Sequence, residues 1–302
     1  VERFPSIDPS VHNNYILLHG CEKGFIDILR LLLSHEFAKR FKKIDPSALK
    51  NHAIKAASEN GHIEVVKLLL SDEIRRLYPK INPSADGNYA IRYASHNGHL
   101  DIVKYLLSNE IREVFPNIDP SAGNNWAIRS ASINGHIEVV KFLLSDEIRT
   151  IYPKIDPSAD NNFSIKSASE EGHIEIVEYL LSDEIRRLYP SIDPSDKGNR
   201  AILYASQSGH IEVVKYLLSS EVSKLYPSID PSAYNNIAIR WASDKGHIEV
   251  VNRLLEDSRL VDPSAENNEA IQLASQNGHI KVVNRLLEDP RVDPSADDNL
   301  AI

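Results

Sequence analysis

The tripeptide Asp-Pro-Ser, once written Asn-Pro-Ser, begins at Asp8, Asp45, Asn82, Asp119, Asp156, Asp193, Asp230, Asp262 and Asp293. The first six spacings are 37 residues each and the last two are 32 and 31. A period in this range leaves few options: a small supersecondary repeat that cannot bury its own apolar face stacks on copies of itself. Residues 1–302 are therefore expected to form one array. Residues 1–7 would close a preceding repeat, 8–292 would hold eight full repeats, and 293–302 a truncated ninth.

Each repeat reads the same way. Pro and Ser, followed by a short polar stretch such as Ala85-Asp86-Gly87, signal a turn. Asn then stands in every repeat, at 14, 51, 88, 125, 162, 199, 236, 268 and 299. Placed just before helical text such as Ala90-Ile91-Arg92, it is expected to be an N-cap whose side-chain oxygen accepts a backbone N–H. A short first helix of about two turns follows, rich in small residues that permit close packing. Gly closes it at 24, 61, 98, 135, 172, 209, 246 and 278, where a left-handed backbone would cost other residues about 1 kcal/mol. The second helix, typified by residues 62–70, sets Ile63, Val66, Leu69 and Leu70 on one stripe. Six repeats add a segment such as residues 73–81, EIRRLYPKI, absent from the last two full repeats. Its Ile74, Leu77 and Tyr78 predict either a longer second helix or an added helical turn before Pro79.

The order of turn, short helix, Gly-His and then Ile-Glu-Val-Val-Lys-x-Leu-Leu resembles the ankyrin repeat, over nearly the whole chain and most specifically in the second helix. The resemblance implies an all-α solenoid of stacked helix-turn-helix repeats joined by short turns, in 37-residue and then 31–32-residue lengths. It also implies a structural His bracing the turn into the second helix, and a concave face of turn tips and inner helices that binds other proteins. The Thr-Pro-Leu-His signature that opens the family's first helix is replaced here by text such as Tyr89-Ala90-Ile91-Arg92. The hydrogen bonds of that signature must then be rebuilt, with the Asn column as candidate. The Asp-Pro-Ser flavour further resembles ankyrin arrays encoded by giant DNA viruses of amoebae, which implies a viral protein and a host protein as its partner.

What the repeats share builds a scaffold, so recognition is expected where they differ. The candidate partner-binding residues are Asp86, Asp160, Lys197 and Tyr234 at the turn tips, Tyr89, Trp126 and Phe163 after the Asn, and His96 and Ile133 two residues before the Gly. Tyr89, Trp126 and Phe163 would form an aromatic ladder across three repeats, with Ile133 beside it. Aromatic anchors ringed by polar groups are typical of interface hot spots. The competing reading packs these rings between repeats, out of reach of solvent. Trp241, in the column of Tyr93 and Tyr204, is read as packing between repeats. Asp86, Asp160 and Glu170 on the candidate face would slightly favour a partner with basic groups.

Other functions are disfavoured. The net charge is −9 and basic residues alternate with acids, whereas nucleic acid requires a basic stripe. No apolar run approaches the roughly 18 residues of a membrane span, and the start lacks a secretory signal. The one cysteine, Cys21, excludes an internal disulfide. It sits where other repeats carry Ser58, Ser95 and Ser132, a small helix position rather than a catalytic thiol. Two ligands of one zinc ion lie within about 4 Å of each other, and equivalent residues on stacked helices are roughly 8–10 Å apart, so the His column is expected to be scaffold. No phosphate-binding loop or metalloprotease motif occurs, and the acidic pairs such as Asp72-Glu73 recur as solvated helix ends.

The expectation is a monomeric, non-catalytic scaffold that binds a protein and needs no cofactor, metal or small-molecule substrate. Its place would be the cytoplasm (of the host, if viral), with the nucleus as a second location. A self-assembling structural array, or the targeting arm of an enzyme or adaptor encoded elsewhere, are the alternatives. The inserted segments offer a second, outer binding edge. Beginning inside a repeat, ending inside a helix and lacking methionine, the sequence is expected to be an excerpt or processed form of a longer array.

Overall fold

The Asp-Pro-Ser tripeptide folds on itself. Asp45 Oδ1 accepts from the Ser47 backbone N–H at 2.8 Å and from its hydroxyl at 2.6 Å. The same pair of bonds recurs at Asp119, Asp193, Asp230 and Asp262. Asn82 makes it too, its amide oxygen replacing the carboxylate. After it come three consecutive residues in the left-handed region, for example Asp86, Gly87 and Asn88 at φ 57°, 65° and 64°. L-residues rarely string such conformations together, since each costs about 1–2 kcal/mol unless the residue is Gly or, to a smaller degree, Asn or Asp. The repeats supply these residue types: the third position is always Asn, and the second is Gly87, Asn124, Asn161, Gly198, Asn235 or Asn267, with Lys50 as the exception.

The Asn column has a different role from the N-cap expected of it. The left-handed backbone of Asn88 directs its side chain to the following repeat, where Oδ1 accepts the Asp119 backbone N–H at 2.9 Å. Asn14, Asn51, Asn162, Asn199, Asn236 and Asn268 accept from the next Asp-Pro-Ser or Asn-Pro-Ser in the same way at 2.8–3.1 Å. An N-cap needs an extended backbone, which these residues do not have.

The computed structural model describes residues 11–41, 44–257 and 261–295, and all regular structure among them is helical. The expected remnant at 1–7, and residues 296–302 of the ninth repeat, lie outside the described residues. The chain divides into two compact bodies, Val1–Ile155 and Asp156–Ile302.

The N-terminal body holds four repeats of three helices each: Val11–Lys23, Ile26–Leu32 and His35–Arg40; Ala48–Glu59, Ile63–Leu70 and Asp72–Leu77; Ala85–His96, Leu100–Leu106 and Asn109–Val114; Ala122–Ile133, Ile137–Leu143 and Asp146–Ile151. First helices pack on first helices of the next repeat, and second on second. In the C-terminal body, two repeats have three helices: Ala159–Glu170, Ile174–Leu180 and Asp183–Leu188; Asp196–Gln207, Ile211–Leu217 and Ser220–Leu225. Among the described residues the last two have Ala233–Asp244 and Ile248–Leu255, then Ala265–Gln276 and Ile280–Leu287, stacked by the same rule.

The inserted segment makes a separate third helix and does not lengthen the second. Ser71 is extended (φ −64°, ψ 153°), which breaks the second helix, and its hydroxyl caps the third by accepting from the Ile74 N–H. Ile74 is buried, while Leu77 and Tyr78 are half-buried. In the second helix Val65, Val66, Leu69 and Leu70 are all buried and Ile63 is only half-buried. The stripe thus begins at Val65, because Ile63 occupies the first turn at the surface.

Candidate functional site

The Gly-His pair is an interlock between repeats. Gly61 has φ +79°, and a Cβ there would fall 2.6 Å from the ring of His99. The ring therefore occupies the room that glycine leaves, and Nε2 donates to the Glu59 carbonyl at 3.0 Å. His62, His247 and His279 reach the carbonyls of Glu22, Gln207 and Asp244 at 2.8–3.0 Å. Histidine thus braces the preceding repeat as well as opening its own second helix. No group of three or more His, Cys, Asp or Glu among the described residues is placed to hold a metal ion. Cys21 is fully buried, and burial pushes its pKa up to about 12, so it holds its proton at neutral pH and packs like the serines of its column.

With the histidines committed to stacking, variable side chains on the first helices form the exposed chemistry. In the N-terminal body, Tyr89 stacks on Tyr93, one helical turn later, with ring centroids 3.9 Å apart and planes at 12°. Tyr93 in turn lies 4.9 Å from Trp126 of the next repeat, and His96 lies 5.5 Å from the same indole. Arg92 sets its guanidinium carbon 5.1 Å from the Trp126 ring centroid. Asn134 Nδ2 donates to His96 Nδ1 at 3.0 Å. All these rings are half-buried. They pack between repeats along one edge and keep another to solvent, so neither the open ladder nor the fully packed reading describes them.

The polar rim is ordered too. Lys55 Nζ meets Asp86 Oδ2 at 2.9 Å and lies 5.0 Å from the Tyr89 ring centroid. That contact holds the Asp86 carboxyl below its ordinary range. The Tyr89 hydroxyl donates to Glu59 Oε2 at 2.8 Å, and burial together with this carboxylate raises its pKa. In this body Asp86 is met by Lys55 and also lies within reach of the Arg92 charge.

Of the expected site residues, Asp86, Tyr89, His96 and Trp126 belong to this cluster, and Ile133 is half-buried at the end of its helix. The sequence reading put Tyr93 in a column that packs between repeats, as its contact with Trp126 does, and did not single out Arg92 or Lys55. Tyr93 is four residues after Tyr89, the spacing of helix neighbours, and Arg92 is three after the counterpart of Trp126. In the C-terminal body, Asp160 is an exposed turn tip and Phe163 is half-buried with Lys166 Nζ 5.9 Å from its ring centroid. Exposed Tyr234 donates to the Lys197 carbonyl at 3.4 Å. Trp241 is half-buried and stacks on Tyr204 of the preceding repeat at 6.3 Å.

A stack of repeats bonded side chain to backbone, with variable rings on one set of helices, defines a repeat protein of the interaction class. The family model "Ankyrin repeats (3 copies)" matches residues 73–156 and 152–230, together just over half of the chain. The chain belongs to the ankyrin-repeat family. No curated protein matches it. Ankyrin repeats generally mediate protein–protein interactions and are typically non-catalytic. No described helix is long and apolar enough to cross a membrane.

Proposed function

We propose that this protein is a non-catalytic scaffold that binds a partner protein on the face formed by turn tips and first helices. Its anchor is the cluster of Tyr89, Tyr93, His96 and Trp126. The observation that supports this most is the setting of Trp126: a large ring held against Tyr93, His96 and Arg92 while still half-exposed. Such a ring is already fixed before binding, so little side-chain entropy is lost when a partner covers it. Buried aromatic anchors of this kind carry most of the energy of an interface.

The test is affinity capture from the source cell's lysate with the native chain beside a Trp126→Ala/Ile133→Asp variant, with circular dichroism on both. A partner held by the native chain and lost by the folded variant supports the reading and identifies the partner. Equal retention by both would move the site to the third helices on the outer edge.

A further inference from the structure

The basic column of the first helices shows what the face lacks. Lys55, Arg92, Arg129, Lys166 and Arg240 occupy equivalent positions in five repeats. Lys55 is met by Asp86, the turn tip of the following repeat, at 2.9 Å. Arg240 pairs with Glu269 of the following repeat. Arg92 faces Gly123, the counterpart of Asp86, and a side chain built there would meet its guanidinium at 3.3 Å. Gly123 thus gives Arg92 no turn-tip carboxylate, and the guanidinium itself lies in the slot beside the glycine.

The groups around this slot are donors. Arg92 donates one long bond, 3.3 Å, to the Gly87 carbonyl, and its guanidinium carbon lies over the Trp126 ring at 5.1 Å from the centroid. The Trp126 indole N–H, which can only donate, belongs to the same cluster. A guanidinium with its stacking face already fixed by an indole is oriented to take a carboxylate in plane.

We propose that the Arg92–Gly123–Trp126 slot receives an aspartate or glutamate side chain from an acidic segment of the partner protein. Tyr93 and Trp126 pack the apolar part of that segment. The inference rests on the recognition role assigned to this face, and it adds the partner's chemistry.

The neighbouring repeat supplies the test. Asp86 adopts at φ 57° the conformation that Gly123 has at φ 65°, so Gly123→Asp sets a carboxylate beside Arg92 from within once the guanidinium gives by a few tenths of an ångström. Random displayed peptides are selected on the native full-length chain, and the selected peptides are then titrated by fluorescence anisotropy. The selected sequences should be enriched in Asp and Glu over the starting library, and their binding should weaken with added salt. Gly123→Asp and Arg92→Gln should each weaken binding about tenfold, the scale of one charge-assisted hydrogen bond. Gly123→Asn, of equal size but uncharged, should weaken it less than Gly123→Asp. Selection of no peptide, enrichment in Lys and Arg, or equal binding by Gly123→Asp would overturn the inference. A cellular partner lost with the Trp126 variant but retained by Gly123→Asp would leave the recognition role standing and remove the carboxylate from it. A capture that finds no Trp126-dependent partner would remove the role itself.

Discussion

His99 closes on Gly61: its ring fills the space beside the glycine Cα, and its Nε2 donates to the carbonyl of Glu59, forty residues back in the chain. Gly61→Ala therefore meets two penalties. The φ of +79° costs about 1–2 kcal/mol for any L-residue, and the clash with the ring adds about 1–3 kcal/mol of overpacking. Only the second depends on His99. In a double-mutant cycle followed by urea denaturation, Gly61→Ala should cost about 1–3 kcal/mol less in a His99→Ala background. Additive costs would show that the ring does not hold that space.

Asn88 serves both as a left-handed residue and as an acceptor for the next repeat. Asn88→Gly keeps the backbone and removes the bond to the Asp119 N–H, a loss of about 1–3 kcal/mol if that N–H is left without an acceptor. Asn88→Ala should lose about 1 kcal/mol more, because alanine resists φ 64°. Denaturant midpoints should rank Asn above Gly above Ala, and an Ala variant as stable as the Gly variant would refute this.

Lys50 is strained at the place where other repeats carry Gly or Asn. Its φ of 58° and its exposure mean that it contributes a left-handed cost with little packing in return. Lys50→Asn is expected to stabilise the chain by about 0.5–1 kcal/mol. A lowered midpoint in urea would show that the lysine makes a compensating contact.

The Lys55–Asp86 pair sets a pH dependence. Asp86 has its folded pKa below the ordinary 3.8, first through the hydrogen bond from Lys55 and then through its charge. The stabilisation is therefore complete above pH 3.8 and is lost as pH falls through the lower folded value. In Lys55→Met the carboxyl titration of Asp86, followed by NMR, should move up towards 3.8. An unchanged midpoint would mean that Lys55 is not the cause.

The periodic parts of this molecule were legible because they repeat. Gly61, His62 and Leu69 recur often enough to declare helix, turn and stack. The Asn column was seen but misread. Its text sits where a cap would sit, and only the three-residue left-handed run before the helix turns the side chain to the next repeat. The aromatic cluster was half legible. Trp126 and Tyr89 stood out as variable rings, but Tyr93 joined them only once the register between repeats placed it between the two. Arg92 left no signal by itself, since its meaning comes from Gly123 on another repeat.

Asn199 and Asp230 lie 31 residues apart and Asn236 and Asp262 lie 26 apart, yet both pairs close the same 2.8 Å bond. The third helix is present in the longer span and absent from the described residues of the shorter. Each span is a bracket whose ends are fixed while its contents are optional. A gene can then duplicate or drop a whole repeat, or that helix alone, and leave every bracket closed. Array length becomes a heritable variable uncoupled from stacking chemistry, and the turn tips can be respelled one at a time as partners change.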